Sequence, residues 1–308
     1  MMKKKFPDQL KLGWISYLNL FPLEHEIKQS LNESFNFTYG PPTTINKLLR
    51  ENLVDLAPSS SICLLRDTPF FSLPIGVCSQ KKVQSVYLGF KKEHLSFYQE
   101  IIFHKEKYKE KIEKLSNKMI SSEAKAKSYL SLQNQSCLKN TPPIDFTNES
   151  ATSVELSKIL LTLTLGQATL QEMISTADRK RELSPVQLLI GDKALIEAKS
   201  FEKIIDLGEF WRALTKLPFV YAVWQSNKKI PEPLQNKILE LTKLTQEKMH
   251  NSPSYYFQQL KTKQLNYQQK DLEIYWRSLS YLVGDKEKEG LMLFLELAKA
   301  RLKNSSNK

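Results

Sequence analysis

The chain alternates short apolar runs with amphipathic stretches. Leu12-Gly13-Trp14-Ile15 carries β-branched and aromatic residues and predicts a buried strand. It breaks into a polar elbow, Ser16-Tyr17-Leu18-Asn19, ahead of Pro22, a favourable first residue for a helix reaching Leu31. Phe35–Tyr39 alternates as a strand and stops at Gly40-Pro41-Pro42. Thr43 or Thr44 is then placed to cap a helix over Ile45–Glu51, with Ile45, Leu48 and Leu49 on one face. Leu53–Pro58 predicts a strand running into Ser59-Ser60-Ser61, and Leu73–Val77 another. Val83–Phe90 follows as a long strand interrupted only by Gln84 and Ser85.

From Lys91 to Thr141 the composition turns to charge, Ser, Gln and Asn, with ragged helical periodicity closed by Pro142-Pro143. This predicts a lysine-rich insertion, 91–143, of one or two solvent-exposed helices. Ile144–Thr147 is a short strand and Val154–Leu165 a helix whose apolar side holds Val154, Ile159, Leu160 and Leu163. Val186–Asp192, Ile204–Gly208 and Pro218–Trp224 predict strands, with a helical turn over Glu209–Thr215. The remainder predicts three amphipathic helices with faces Leu234/Ile238/Leu241/Leu244, Leu272/Tyr275/Trp276/Leu279 and Leu291/Phe294/Leu295/Ala298.

Alternating strands and helices indicate an α/β class. The expected organisation is two lobes: lobe I from 1–89 and 222–308, with a C-terminal helical segment, and lobe II from 90–221. The polar residues of interest stand at strand ends, the edge where open α/β sheets place ligands. They are Tyr17 and Asn19, Ser60 and Ser61, Ser85, Ser150, Thr152 and Ser153, and Asp192 after Gly191. Each has a plain structural reading as well: Asn19 and the serines as helix caps, Ser85 bonded to neighbouring backbone, Asp192 as a turn cap. Ser150-Ala151-Thr152-Ser153 holds more donors than one cap uses, and a helix start favours a carboxylate or phosphate. A lining of neutral donors in an interlobe cleft suits a small oxygen-rich anion.

Composition narrows the classes. Three cysteines, Cys63, Cys78 and Cys137, are widely spaced, which argues against a disulfide framework or a zinc site and fits a reducing cytoplasm. The four histidines show no ligand spacing. No apolar run approaches a membrane span, and Asp8, Gln9 and Lys11 interrupt any secretory leader after the basic N-terminus. The net charge of +12 invites a nucleic-acid reading. Much of the lysine, though, alternates with Glu106, Glu110 and Glu113, the pattern of a solvated helix face. No Gly-x-Gly-x-x-Gly, P-loop or nucleophile–base pair is present.

Taken together, several motifs resemble the MqnA family, the chorismate dehydratases of the futalosine route to menaquinone. They are Gly13-Trp14-Ile15-Ser16-Tyr17-Leu18-Asn19 with Pro22-Leu23, Val54-Asp55-Leu56-Ala57-Pro58 with Ser60-Ser61, and Val83-Gln84-Ser85-Val86. Ser150-Ala151-Thr152-Ser153, Leu189-Ile190-Gly191-Asp192-Lys193-Ala194-Leu195, Asp206-Leu207-Gly208 with Trp211, and Leu217–Trp224 complete the set, in family order through nearly the whole chain. The segment 91–143 is longer than the family's link, and Gln84 and Ser59 stand where the family carries other residues. The resemblance implies a periplasmic-binding-protein-like type II fold used as a cytoplasmic lyase. It implies cofactor-free water loss from chorismate, giving 3-[(1-carboxyvinyl)oxy]benzoate. Asn19 and Ser85 are then expected to be catalytic. Tyr17, Ser60, Ser61, Ser150, Ala151, Thr152, Ser153 and Asp192 are expected to bind substrate. The alternative is a non-catalytic binding protein for a small carboxylate.

Overall fold

The computed structural model describes residues 9–65, 71–116, 121–131, 141–179, 186–260 and 267–306. Its elements begin β1 (Leu10–Ile15), α1 (Phe21–Leu31), β2 (Phe35–Gly40), α2 (Pro42–Arg50), β3 (Leu56–Ser60), β4 (Phe71–Ser79) and β5 (Val86–Phe90). They continue α3 (Leu95–Ser116), α4 (Ser122–Ser131), β6 (Ile144–Asp145), α5 (Ala151–Leu165), α6 (Gln167–Arg179), β7 (Val186–Ile190) and α7 (Gly191–Glu197). After β8 (Lys203–Asp206), α8 (Leu207–Thr215) and β9 (Phe219–Ser226) come α9 (Glu232–Asn251), α10 (Ser254–Gln259), α11 (Gln269–Ser278), β10 (Leu279–Leu282) and α12 (Asp285–Ser306).

The chain divides into two compact units, one of residues 1–79, 149–151 and 220–284, the other of 80–148, 152–219 and 285–308. The expected lobes differ from these units at 80–89 and 285–308, which belong to the second unit, and at 149–151 and 220–221, which belong to the first.

Unit one is built on a six-stranded sheet in the order β10-β4-β9-β3-β1-β2. β1 lies parallel to β2 and β3, so these strands end at one edge of the sheet. β3, buried along its whole length, runs antiparallel to β9. Trp14 and Trp224 are fully buried and meet edge to face at 5.6 Å. Gly76 of β4 is obligatory, because a Cβ there would lie 2.4 Å from the Ala222 carbonyl oxygen. Two expectations change in this unit. The helix α2 starts at Pro42 with Pro41 as its cap, so Thr43 and Thr44 lie in its first turn. The supposed all-helical C-terminus contains β10, four alternating residues that gain strand structure only by pairing with distant β4.

Unit two holds a four-stranded sheet, β6-β7-β5-β8, with β5 antiparallel to β7 and β8. Residues 83–85, expected within the strand, form the irregular approach to β5. The lysine-rich helices are not simply solvated. Ile101, Tyr108 and Ile112 of α3 and Ala126 and Tyr129 of α4 are buried, and the Tyr108 hydroxyl donates to the Tyr129 carbonyl. α3 packs on α8 and α4 on α12, with Lys125 donating to Glu289 at 2.5 Å. The ragged periodicity arose because heptad-like buried positions are separated by charged residues. Among the described residues, no helix is long and apolar enough to cross a membrane.

α12 is also fastened to α5. Arg301 Nε and Nη2 each donate to Glu155 at 2.5 Å, both side chains buried. Truncation of one partner strands a buried charge, so Arg301→Ala is expected to lose about 3–5 kcal/mol of unfolding free energy. Glu155→Leu combined with Arg301→Met regains most of that loss. Urea melts of the single and double variants check this, and equal melts for wild type and Arg301→Ala would contradict it.

Candidate functional site

In unit one the candidate residues include those of the elbow at the end of β1. After Ile15 the chain turns twice, with Leu20 N–H donating to Tyr17 O at 3.0 Å and Phe21 N–H to Leu18 O at 3.4 Å. Two aromatic side chains from distant sequence clamp this elbow. Trp276 Nε1 of α11 donates to Leu18 O at 2.8 Å, and the Tyr281 hydroxyl of β10 donates to Asn19 O. Asn19 does not cap α1: the cap position is Leu20, with no side-chain bond. Its carboxamide Oδ1 is buried and accepts no hydrogen bond from the described residues. A buried acceptor without a donor is costly, and it calls for a water, an ion or a ligand to complete the bonding, or for a catalytic role.

Tyr17 donates its hydroxyl proton to Glu149 Oε2 at 2.5 Å, and the Glu149 carbonyl accepts from Thr43 N at 3.2 Å. Glu149, Ser150 and Ala151 therefore sit in the same unit as the elbow. Ser61 is fully buried and donates to Val220 O at 2.7 Å. Ser60, also buried, is bonded to Asn46 of α2 through both its amide and its hydroxyl, each at 2.9 Å.

In unit two the approach to β5 carries Ser85, which is buried and has its Oγ 3.5 Å from Val83 O. Its carbonyl accepts from Gly191 N at 2.8 Å, which brings the Gly191-Asp192 start of α7 alongside it. Gln84, just before, is in the left-handed region at φ 60°. That conformation is held by Asp206, the cap of α8. Its carboxylate accepts from Val83 N at 3.1 Å, Gln84 N at 2.8 Å and Glu209 N at 3.0 Å. Thr152 and Ser153, in the first turn of α5, belong to this unit and are buried. The Ser153 carbonyl accepts from Ser157 Oγ at 2.8 Å.

The structure thus groups Tyr17, Asn19, Ser60, Ser61, Ser150 and Ala151 in one unit, and Ser85, Thr152, Ser153 and Asp192 in the other. Sequence reasoning missed Asn46, Glu149, Trp276 and Tyr281 as parts of the first group, and took Asp206 only as part of a motif. The one available signal was polarity at positions expected to be buried. Glu24 and His25 lie along α1, as a helix reading of them requires. Glu24 takes the Tyr39 hydroxyl at 2.6 Å, and His25 Nε2 lies 3.1 Å from Tyr255 Oη. Burial, with help from Lys248, lowers the His25 pKa. Among the described residues no group of three or more His, Cys, Asp and Glu could hold a metal ion.

Comparison with known proteins decides the family. A family model described as menaquinone biosynthesis matches residues 10–108 and 102–300. The chain belongs to the menaquinone biosynthesis family. The resemblance to the MqnA family read from its motifs is thereby upheld. Among curated proteins no sequence matches this one. Among solved structures the chain is similar to protein AF1704 of Archaeoglobus fulgidus, at 11% identity over 96% of this chain and 98% of that one, TM-score 0.59. It is similar to an ABC transporter protein of Parabacteroides distasonis, at 12% identity over 96% and 94%, TM-score 0.57. A third is the ligand-binding component of an ABC-type import system from Staphylococcus aureus, at 10% identity over 96% and 93%, TM-score 0.53. These likenesses are of fold, and they make the menaquinone-family chain periplasmic-binding-protein-like, as expected.

The Asp206 carboxyl titrates above its ordinary 3.8, burial outweighing the amide bonds from Glu209, Gln84 and Val83 that favour the charge. As pH rises the unfolded chain ionises first. The stability contributed by the raised pKa is therefore fully present below 3.8 and is lost as pH rises through the folded-state value. Asp206→Asn removes the titration. Melts at stepped pH are expected to show wild type losing stability relative to Asp206→Asn from acid towards neutral pH; parallel curves would contradict this.

Proposed function

We propose that this chain is a chorismate dehydratase, converting chorismate to 3-[(1-carboxyvinyl)oxy]benzoate and water without a cofactor. The observation that carries the reading is the buried Oδ1 of Asn19, without a donor among the described residues, on an elbow whose backbone Trp276 and Tyr281 hold. Membership of a menaquinone biosynthesis family supports it.

In this reading the C3–H bond of chorismate breaks and its electron pair enters the ring, the developing charge spreading towards the ring carboxylate. The C4–O bond then breaks, and the ring becomes aromatic. The substrate's own enolpyruvyl carboxylate takes the C3 proton and passes it to the departing hydroxyl, which leaves as water. The protein supplies orientation and preorganised donors and acceptors. Asn19 Oδ1 accepts from the C4 hydroxyl and orients it. Ser85 holds the reacting face. Ser150, the Ala151 N–H, Thr152 and Ser153 bind one substrate carboxylate at the start of α5, and Tyr17, Ser60 and Ser61 take part in substrate binding. Asp192 is the competing candidate for the base, being half-buried in the first turn of α7.

A second reading, a non-catalytic binder of a small carboxylate, is favoured by the fold shared with an import system's ligand-binding component. Incubation with chorismate separates the two: the enzyme yields a product lighter by one water in mass spectrometry, whereas a binder returns chorismate unchanged. Asn19→Ala and Ser85→Ala are expected to lose about a hundredfold or more in kcat with little change in KM. Wild-type rates in both would remove the assignment. Asp192→Asn is expected to keep activity; its loss, with chorismate still bound, would make Asp192 the base.

A further inference from the structure

The bonding of Asn46 fixes the direction of a proton at the end of β3. The Ser60 backbone amide can only donate, so the Asn46 atom 2.9 Å from it is the carboxamide oxygen Oδ1. Ser59 Oγ donates to the same oxygen at 2.8 Å. The other carboxamide atom is then the NH2 group, a donor only, and it faces Ser60 Oγ at 2.9 Å. Ser60 Oγ is therefore an acceptor towards Asn46 and must give its own proton elsewhere. Among the described residues that hydroxyl donates to none, although Ser60 is only 3% exposed. Ser59, by contrast, has already given its proton to Asn46.

The register places this proton. β1 and β3 are parallel with Leu12 level with Leu56, so the end of β3 that carries Ser60 lies at the same sheet edge as the end of β1. Ser60 thus stands at the edge where the chain enters the Asn19 elbow. A buried O–H without an acceptor favours a ligand that brings an oxygen, above all a charged one.

We infer that Asn46 is a positioning residue that holds Ser60 as an obligatory hydrogen-bond donor to a carboxylate of the substrate. The inference rests on the chorismate reading and deepens it. Asn46 selects for an acceptor at this position and against ligands presenting only donors there, such as an ammonium group. It touches no substrate itself.

The test inverts the proton. Asn46→Asp keeps the shape and the Oδ1 that takes the Ser59 hydroxyl and Ser60 amide, but replaces the NH2 donor by an acceptor. The Ser60 hydroxyl then turns to the new carboxylate. Chorismate affinity at neutral pH is expected to fall about tenfold to a hundredfold, as in Ser60→Ala, with kcat less affected than KM. Combining the two substitutions adds little beyond either alone. As pH falls and the introduced carboxyl takes a proton, it donates to Ser60 again, and the affinity of Asn46→Asp recovers while that of Ser60→Ala does not. If wild type converts chorismate but Asn46→Asp binds it as wild type does, or weakens it without low-pH recovery while still folded by circular dichroism, the inference is overturned. If wild type neither binds nor converts chorismate, the dehydratase reading fails and takes this inference with it.

Discussion

A buried strand that ends in polar residues must find partners for every donor and acceptor it carries, and that constraint organises both units. In unit one the carboxamide of Asn46 satisfies the amide of Ser60 and the hydroxyl of Ser59 at the end of β3. In unit two the carboxylate of Asp206 collects three backbone amides and holds Gln84 in a left-handed turn beside Ser85. The elbow after β1 is met differently, through its carbonyls, by an indole and a phenol. Among the described residues at these strand ends, the Asn19 Oδ1 accepts no hydrogen bond and the Ser60 hydroxyl donates none. One is an acceptor and the other a donor, the complement of a small ligand bearing both a hydroxyl and a carboxylate.

This arrangement is economical for the proposed chemistry. Aromatisation supplies the driving force, so the protein needs to fix the substrate and stabilise charge more than it needs a strong base. The carboxylates and imidazole near the elbow already have partners: Glu24 with Tyr39, His25 with Tyr255, and Glu149 with Tyr17 of the elbow itself.

Much of this was legible in the residues. Strand periodicity placed β1, β2, β7 and β9 closely, because their apolar runs are bounded by Pro, Gly or polar turns. Pro22 located the start of α1. The polar strand ends announced the candidate site. What the sequence could not carry was long-range pairing. The four residues of β10 become a strand only against β4, and the buried faces of α3 and α4 show only once α8 and α12 cover them. The supporting groups were hidden for the same reason. Asn46 reads as one polar residue in an amphipathic helix, and Trp276 and Tyr281 read as core, until tertiary contact brings them to Ser60 and to the Asn19 elbow.

The most direct measurement is a crystal structure of the protein with 3-[(1-carboxyvinyl)oxy]benzoate bound. A carboxylate oxygen of the product is expected within hydrogen-bond distance of Ser60 Oγ, with the Asn19 carboxamide facing the ring carbon that lost its hydroxyl. A product seated against neither residue, with Asn19 Oδ1 still unbonded, would contradict it.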